Sequence, residues 1–298
     1  MILPRFQYHA PENLKEACEI LAGFKGEASP LAGGTDLLVN MKKGVVSPKH
    51  VLSLARINEL KNMGVENGHM RIGSCVTVAD IAESSDIKHD FMALSIGAAH
   101  LGSPLIRNLA TVGGNIVSAR PAADMPPSLI AYGAKVVLKK HAAERTLALE
   151  DFFKGPGQSA AGLDEILTKI VLESPPPYSG SGYVKLGKRK ALEISIVNVA
   201  VFISLESPDG PIRKARVVLG SVAPVPLRVR SAEKVLIGRK PAESVFTKAG
   251  DAAAKESRPI DDFRGSAQYR RNMTAVLTKR VLNMAFDEAK AREWRRWK

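Results

Sequence analysis

The spacing of apolar and polar positions changes character three times along the chain. Near the start, residues 6–9 read as a short strand, a helix runs from Pro11 to about residue 22, and residues 30–31 lead a second strand into a turn. A helix over 37–43 and a strand over 50–54 complete a strand-helix-strand-helix-strand order, the pattern of a small, mainly parallel α/β unit. The grammar then turns antiparallel. Asn67-Gly68 between 63–65 and 70–72 is a hairpin signal, because both residues tolerate the positive φ of a tight turn. Thr77 is expected to cap a helix through Glu83, further helices are expected over 91–101 and 124–133, and residues 135–139, 145–149 and 166–172 alternate like strands. The run 175–182, Pro-Pro-Pro-Tyr-Ser-Gly-Ser-Gly, has the composition of a stiff-then-flexible linker. Strands are predicted beyond it over 183–186, 197–205 and 215–219, with Ser207-Pro208-Asp209-Gly210 turning between the last two. Helices follow over 232–237, 242–256 and 268–292, the last with Val276, Leu277, Val281, Leu282 and Ala285 on one face. The expected fold class is α+β. A first domain covers 1–177, divided into a parallel α/β unit over 1–56 and an antiparallel sheet with helices over 57–177; a second covers 178–298 with a three-stranded antiparallel sheet and a helical bundle.

Two turns stand out from this pattern. Ala32-Gly33-Gly34-Thr35-Asp36 and Thr111-Val112-Gly113-Gly114-Asn115 each place a Gly-Gly pair and a small polar residue at the end of an apolar run. Successive amides without a Cβ in front of them form an anion cradle. In the first copy, Thr35 and Asp36 are suitable N-caps for the helix that follows, whose positive dipole end would favour a phosphate. Neither copy is a P-loop or a G-x-G-x-x-G, which argues against a nucleoside triphosphate or a Rossmann fold. Two cradles suggest a ligand with two phosphates held from both sides, whereas either copy alone is equally an ordinary tight turn. Gly155-Pro156-Gly157-Gln158-Ser159-Ala160 imitates a dinucleotide fingerprint, but no strand is expected to lead into it, and it reads as a surface loop.

Length and composition narrow the class. With 298 residues, 45% hydrophobic and 24% charged, the chain is long enough for two cored domains. Residues 1–18 lack the apolar core of a secretory signal, and the longest apolar run, 194–205, is too short to span a bilayer, so a soluble, cytoplasmic protein is expected. Cys18 lies on a helical face with Leu14, Ala17 and Leu21, and Cys75 sits in a strand-like stretch, so both read as core thiols with no spacing for zinc, an iron–sulfur cluster or a disulfide framework. The net charge of +13 invites an acidic partner or nucleic acid. Basic residues concentrate at 185–190 and in the tail 290–298, but aromatics are only 5% and no nucleic-acid motif accompanies the charge. The tail, with Trp294 and Trp297, reads either as a partner-docking segment or as a solvated helix end. No acid–base, nucleophile or metal constellation appears.

Taken together, Ala32-Gly33-Gly34-Thr35-Asp36, Ile106 to Ile116 with its Asn108-x-x-Thr111-x-Gly113-Gly114-Asn115 core, Ala122-Ala123-Asp124-Met125-Pro126-Pro127, and Lys185-Leu186-Gly187-Lys188-Arg189 through Val197-Asn198-Val199-Ala200 resemble, in order and spacing, the FAD-binding medium subunit of the molybdenum hydroxylases. That group includes xanthine dehydrogenase, carbon monoxide dehydrogenase and 4-hydroxybenzoyl-CoA reductase, and the resemblance covers essentially the whole chain. It implies that the backbones of Ala32, Gly33, Gly34, Thr35 and Asp36 and of Thr111, Val112, Gly113, Gly114 and Asn115 hold the FAD pyrophosphate. It further implies that Asp124 meets the adenosine ribose or its neighbourhood, and that Leu167 and Lys185 reach the flavin end. Without the resemblance, Lys185 is an exposed strand lysine. No His or Cys lies in either cradle, so a covalent flavin is not expected, and two distant cysteines cannot build the four-cysteine insertion found in some aroyl-CoA reductases of the family.

The function implied is electron transfer. Substrate would react at molybdenum in a large molybdopterin-binding subunit, a small 2Fe-2S subunit would relay electrons, and FAD here would exchange them with NAD, a quinone, ferredoxin or oxygen, in a dimer of heterotrimers. The competing readings are a stand-alone FAD oxidoreductase of the same fold, which would turn over by itself, and a flavin-free scaffold subunit, which would purify colourless.

Overall fold

Three short parallel strands, β1 (Gln7–His9), β2 (Ala28–Leu31) and β3 (His50–Ser53), lie in the order β1-β3-β2 and are connected through α1 (Leu14–Gly23) and α2 (Leu37–Lys42). The structure, a computed structural model, describes residues 2–189 and 191–291; the basic tail residues 292–298, with Trp294 and Trp297, and Lys190 of the other basic cluster lie outside the described residues. Helix α1 starts at Leu14 rather than at Pro11 because the Asn13 side chain accepts the Glu16 N–H at 2.9 Å, which fixes the N-cap there. Its Leu14, Ala17, Cys18 and Leu21 pack against Leu52, Leu54, Ile57 and Cys75. Both cysteines are buried free thiols, and burial pushes both above the ordinary thiol range.

The middle of the chain builds a five-stranded antiparallel sheet and the helices that cover it. Its elements are β4 (Met63–Glu66), β5 (His69–Gly73), α3 (Val78–Glu83), α4 (Ser85–Asp90), α5 (Met92–Ala99), α6 (Pro104–Arg107), α7 (Val112–Val117), α8 (Met125–Tyr132), β6 (Lys135–Lys140), β7 (Ala143–Ala148), β8 (Phe153–Gly155), β9 (Gln158–Ser159) and β10 (Ile166–Glu173). The sheet order is β4-β5-β10-β6-β7. Asn67 (φ 52°) and Gly68 (φ 73°) make the predicted tight turn, and Thr77 and Asp80 close a reciprocal capping box on α3. The Gly155-Pro156-Gly157 run is a correction in detail: β8 does lead into it, but it only turns back into β9, and no helix follows.

The third part contains β11 (Ser179–Leu186), β12 (Val197–Leu205), β13 (Ile212–Gly220), β14 (Leu227–Arg228), α9 (Arg230–Leu236), α10 (Glu243–Glu256) and α11 (Ala267–Ala291). The sheet has four strands in the order β11-β12-β13-β14, one more than expected, because Leu227 and Arg228 pair with Leu219 and Val218. Ser179–Gly182 is strand, not flexible linker. A Cβ on Gly180 would fall 2.1 Å from the Ala285 carbonyl oxygen, so the glycine is there to let α11 lie directly on β11. Every residue of β12 is buried, with a period of two between its faces. Ala200 and Phe202 join Tyr183 and Val218 in the core around α5 and α8, while Val197, Val199, Val201 and Ile203 face α10 and α11. On α11 the predicted face is buried at Leu277, Val281, Leu282 and Ala285, but Val276 is 45% exposed.

Candidate functional site

The first Gly-Gly turn sits where β2 ends, and the second forms the first turn of α7. They meet because Gly33 has no side chain: a Cβ there would stand 1.7 Å from the Leu109 carbonyl oxygen. Gly34 takes φ +73° to turn the chain into α2. On the other side, Gly113 lies against Ser74, where a Cβ would come within 2.5 Å of the Ser74 Cβ. The glycines therefore dock two loops and the end of β5 on one another.

These loops form one wall of a cavity of about 930 Å³, within the range of sites for extended cofactors. Ala32, Gly33, Gly34, Thr35, Asp36, Thr111, Gly113, Gly114, Asn115, Asp124 and Leu167 all line it. Val112 and Lys185 do not: the Val112 side chain is fully buried in the core beneath, and Lys185 stands behind Asp124, which does line the cavity. The far wall is contributed by Glu193, Ile194, Ser195, Ser221 and the 258–264 loop of the third part.

The two loops offer different chemistry. Among the described residues, the amides of Gly33, Gly34, Thr35 and Asp36 donate no hydrogen bond, which leaves a row of open donors leading to the start of α2. The second loop is not a free-amide cradle. Its Val112 N–H donates to Val76 O (3.1 Å), Gly113 to Ser74 O (2.9 Å), Asn115 to Thr111 O (3.0 Å) and Gly114 to the Thr111 hydroxyl (3.1 Å). What this loop provides instead is bare surface and the Asn115 side chain, whose Oδ1 is buried with no partner among the described residues, like the hydroxyls of Ser74, Ser195 and Ser221 on the same cavity. Asp36 departs from its expected capping role: its carboxylate accepts from Asn40 Nδ2 (2.9 Å) and from Arg120 Nη2 (3.3 Å). Arg120 lines the cavity and is not singled out by the sequence reading; a cation three residues beyond α7, whose first turn holds the second Gly-Gly pair, is the signal that could have found it.

Lys185 is not an exposed strand lysine. Its side chain is 7% exposed, and Nζ donates to Asp124 Oδ2 at 2.8 Å and to the His100 carbonyl at 3.2 Å. The Tyr183 hydroxyl donates to Asp124 Oδ1 at 3.0 Å. Burial pushes the Asp124 carboxyl above its ordinary range, against the pull of Lys185, Tyr183 and His100. The structure thus brings into direct contact two residues that the resemblance assigns to different parts of the ligand. On the far wall, Arg270, 3% exposed on α11, donates to the Ile196 carbonyl (2.8 Å) and the Ser221 carbonyl (3.2 Å) and pairs with Asp262 (2.6 Å). Although desolvation opposes it, the Arg264 N–H and the Arg270 and Arg264 guanidiniums hold Asp262 down to about 2.

Residues 4–175 match the FAD binding domain in molybdopterin dehydrogenase, and residues 182–285 match the CO dehydrogenase flavoprotein C-terminal domain. The chain belongs to this family of FAD-binding medium subunits of the molybdenum hydroxylases, and it is an oxidoreductase subunit. It is 32% identical to the carbon monoxide dehydrogenase medium chain of Hydrogenophaga pseudoflava over 96% of this chain and 99% of that one. It is 29% identical to the xanthine dehydrogenase FAD-binding subunit of Escherichia coli O157:H7 over 93% and 95%. The solved carbon monoxide dehydrogenase from Hydrogenophaga pseudoflava superposes with a TM-score of 0.92, covering 96% of this chain and 99% of that chain at 32% identity. Quinoline 2-oxidoreductase from Pseudomonas putida 86 superposes at 0.90 with 26% identity, covering 97% and 100%. Among the described residues no helix is long and apolar enough to cross a membrane.

Proposed function

We propose that the chain binds FAD in this cavity and passes electrons between a small 2Fe-2S subunit and an external acceptor, as the medium member of a cytoplasmic complex whose large subunit holds molybdopterin. The observation that carries this reading is the docking of the two Gly-Gly loops on one cavity, with open amides on the first loop and unpartnered polar atoms around the wall. The residues fit the cofactor. The Gly33 to Asp36 amides, the α2 N-terminus and Arg120 would hold the pyrophosphate, Gly114 leaves room for it, and the paired Asp124 and Lys185, with Leu167, would form the flavin end.

When bound, FAD accepts and releases electrons one or two at a time, which joins one-electron and two-electron partners. The side chains here bind, orient and tune. The Asp124–Lys185 pair presents a compensated charge, and the 193–196, 221–224 and 258–264 segments, tied together by Arg270, cover the cavity from the other side. A dimer of heterotrimers built from large, medium and small subunits follows from the same family resemblance.

The decisive experiment is the visible absorbance of the protein purified with the products of neighbouring genes, with acid release and chromatography of any flavin. A yellow complex that releases FAD, and a separated chain that is inactive with simple donors, support the reading. A colourless complex overturns it in favour of the scaffold.

A further inference from the structure

Asp124 lines the cavity yet is only 6% exposed, and its two oxygens are held separately from β11: Lys185 Nζ on Oδ2 and the Tyr183 hydroxyl on Oδ1. Tyr183 is 1% exposed, with its ring in the core shared by α5, α8 and β12. A phenylalanine would fill the same volume without a buried hydroxyl to satisfy, so the oxygen is kept for its bond to Asp124. The titratable and charged groups beside Asp124 are Lys185 and Tyr183 on β11 and His100 at the end of α5.

We propose that Tyr183 is a positioning residue, which holds Asp124 in its ion pair with Lys185 and thereby sets the charge that Asp124, on the cavity wall, and Lys185, behind it, present to the flavin. The inference rests on the FAD reading above for its consequence, but not for the linkage itself. Loss of the phenol removes a donor that favours the ionised carboxyl, on a group that burial already pushes toward its neutral form. Asp124 then binds a proton more tightly, and the share of the pair that stands as a lone Lys185 ammonium behind the wall rises. A net positive wall favours the more negative, reduced ring.

The test compares wild type with Tyr183→Phe by two measurements on the full chain. In the first, the Asp124 carboxyl is titrated by carbon-13 NMR without flavin. The titration should move up by about one unit in the variant, tenfold in proton affinity. Replacement of Tyr183 by a ring-fluorinated tyrosine, a stronger donor of the same shape, should move it down. In the second, the midpoint potential of the FAD-loaded chain is measured against reference dyes. Tyr183→Phe should shift reduction about tenfold toward the reduced form, about 30 mV for a two-electron couple. Asp124→Asn should shift it the same way and leave Tyr183→Phe nothing to add. An Asp124 titration that responds to neither substitution at 183, or a Tyr183→Phe shift that persists unchanged beside Asp124→Asn, overturns the proposal. Wild-type chain that takes up no FAD is a failure of the cofactor reading alone, and the carboxyl titration still decides the Tyr183–Asp124 linkage.

Discussion

At the level of single residues, the two Gly-Gly pairs have separable duties. Gly33 faces the Leu109 carbonyl at a distance that admits no methyl, whereas a Cβ on Gly114 would meet only the Thr111 hydroxyl at 3.0 Å. Gly33→Ala should therefore force the loops apart and cost about 3 kcal/mol of stability in urea unfolding. Gly114→Ala, in the first turn of α7, should leave the urea midpoint in place while its methyl intrudes on the cavity, so that FAD affinity drops about tenfold, roughly 1.4 kcal/mol, by fluorescence titration. Equal stability losses in the two variants would refute this division. Asp262 supplies a second prediction, of pH dependence. Its folded value of about 2 lies below the ordinary 3.8, so it contributes stability above pH 4 that is lost as the pH falls toward 2. In Asp262→Asn the thermal midpoint should change less between pH 4 and pH 2 than in wild type, and an unchanged acid limb would show that the arginines around Asp262 do not stabilise its charge. The glycine grammar was legible in the sequence because a Gly-Gly pair at a strand or helix end has few uses. The amide accounting was not, since Ser74 and Val76, which occupy the second loop's donors, are nearly forty residues upstream.

Secondary-structure elements show where composition misleads. A Ser-Gly-Ser-Gly run is the usual mark of a flexible tether, yet the same absence of side chains lets a helix lie flat on a strand, and only the partner decides between the two. Here α11 is that partner. A Cβ on Gly180 would sit 2.1 Å from the Ala285 carbonyl oxygen, and one on Gly182 3.0 Å from Val281 Cγ1 and 3.1 Å from the Val281 carbonyl oxygen, so both meet α11 but the first overlaps its backbone far more deeply. Gly180→Ala should lower the urea midpoint by the equivalent of about 2 kcal/mol, and Gly182→Ala by less; a reversed order would mean that α11 can move off β11 more easily than its packing implies. Helix α3, with its Thr77 and Asp80 capping box, matches the sequence expectation because both signals are local. Val276 was misplaced for a different reason. A helical face read from apolar spacing is wider than the stripe α10 and β11 cover, and Val276 lies at its uncovered margin, beside the buried Leu277.

At the scale of the whole molecule, the sheet of the third part is covered on both faces. One face closes the core made by α5 and α8, and the other closes the core made by α9, α10 and α11. The FAD-binding half thus borrows Tyr183, Ala200, Phe202 and Val218 to complete its own core, and it borrows Ser195, Ser221 and the 258–264 loop to complete its cavity. A buried network crosses the same boundary: Glu288 on α11 accepts from the Ser181 N–H and hydroxyl, and the Tyr132 hydroxyl on α8 donates to the Ser181 hydroxyl at 2.6 Å. Residues 1–177 expressed alone would expose the apolar surfaces of α5, which β11 covers, and of α8, which β12 and β13 cover. Such a fragment should aggregate or bind a hydrophobic dye, show no cooperative unfolding transition, and retain no FAD. Addition of residues 178–298 as a separate chain should restore a cooperative transition and FAD binding together, because core and cavity are closed by the same strands. A fragment that unfolds cooperatively and binds FAD by itself would show instead that the shared sheet is a lid on an already complete site.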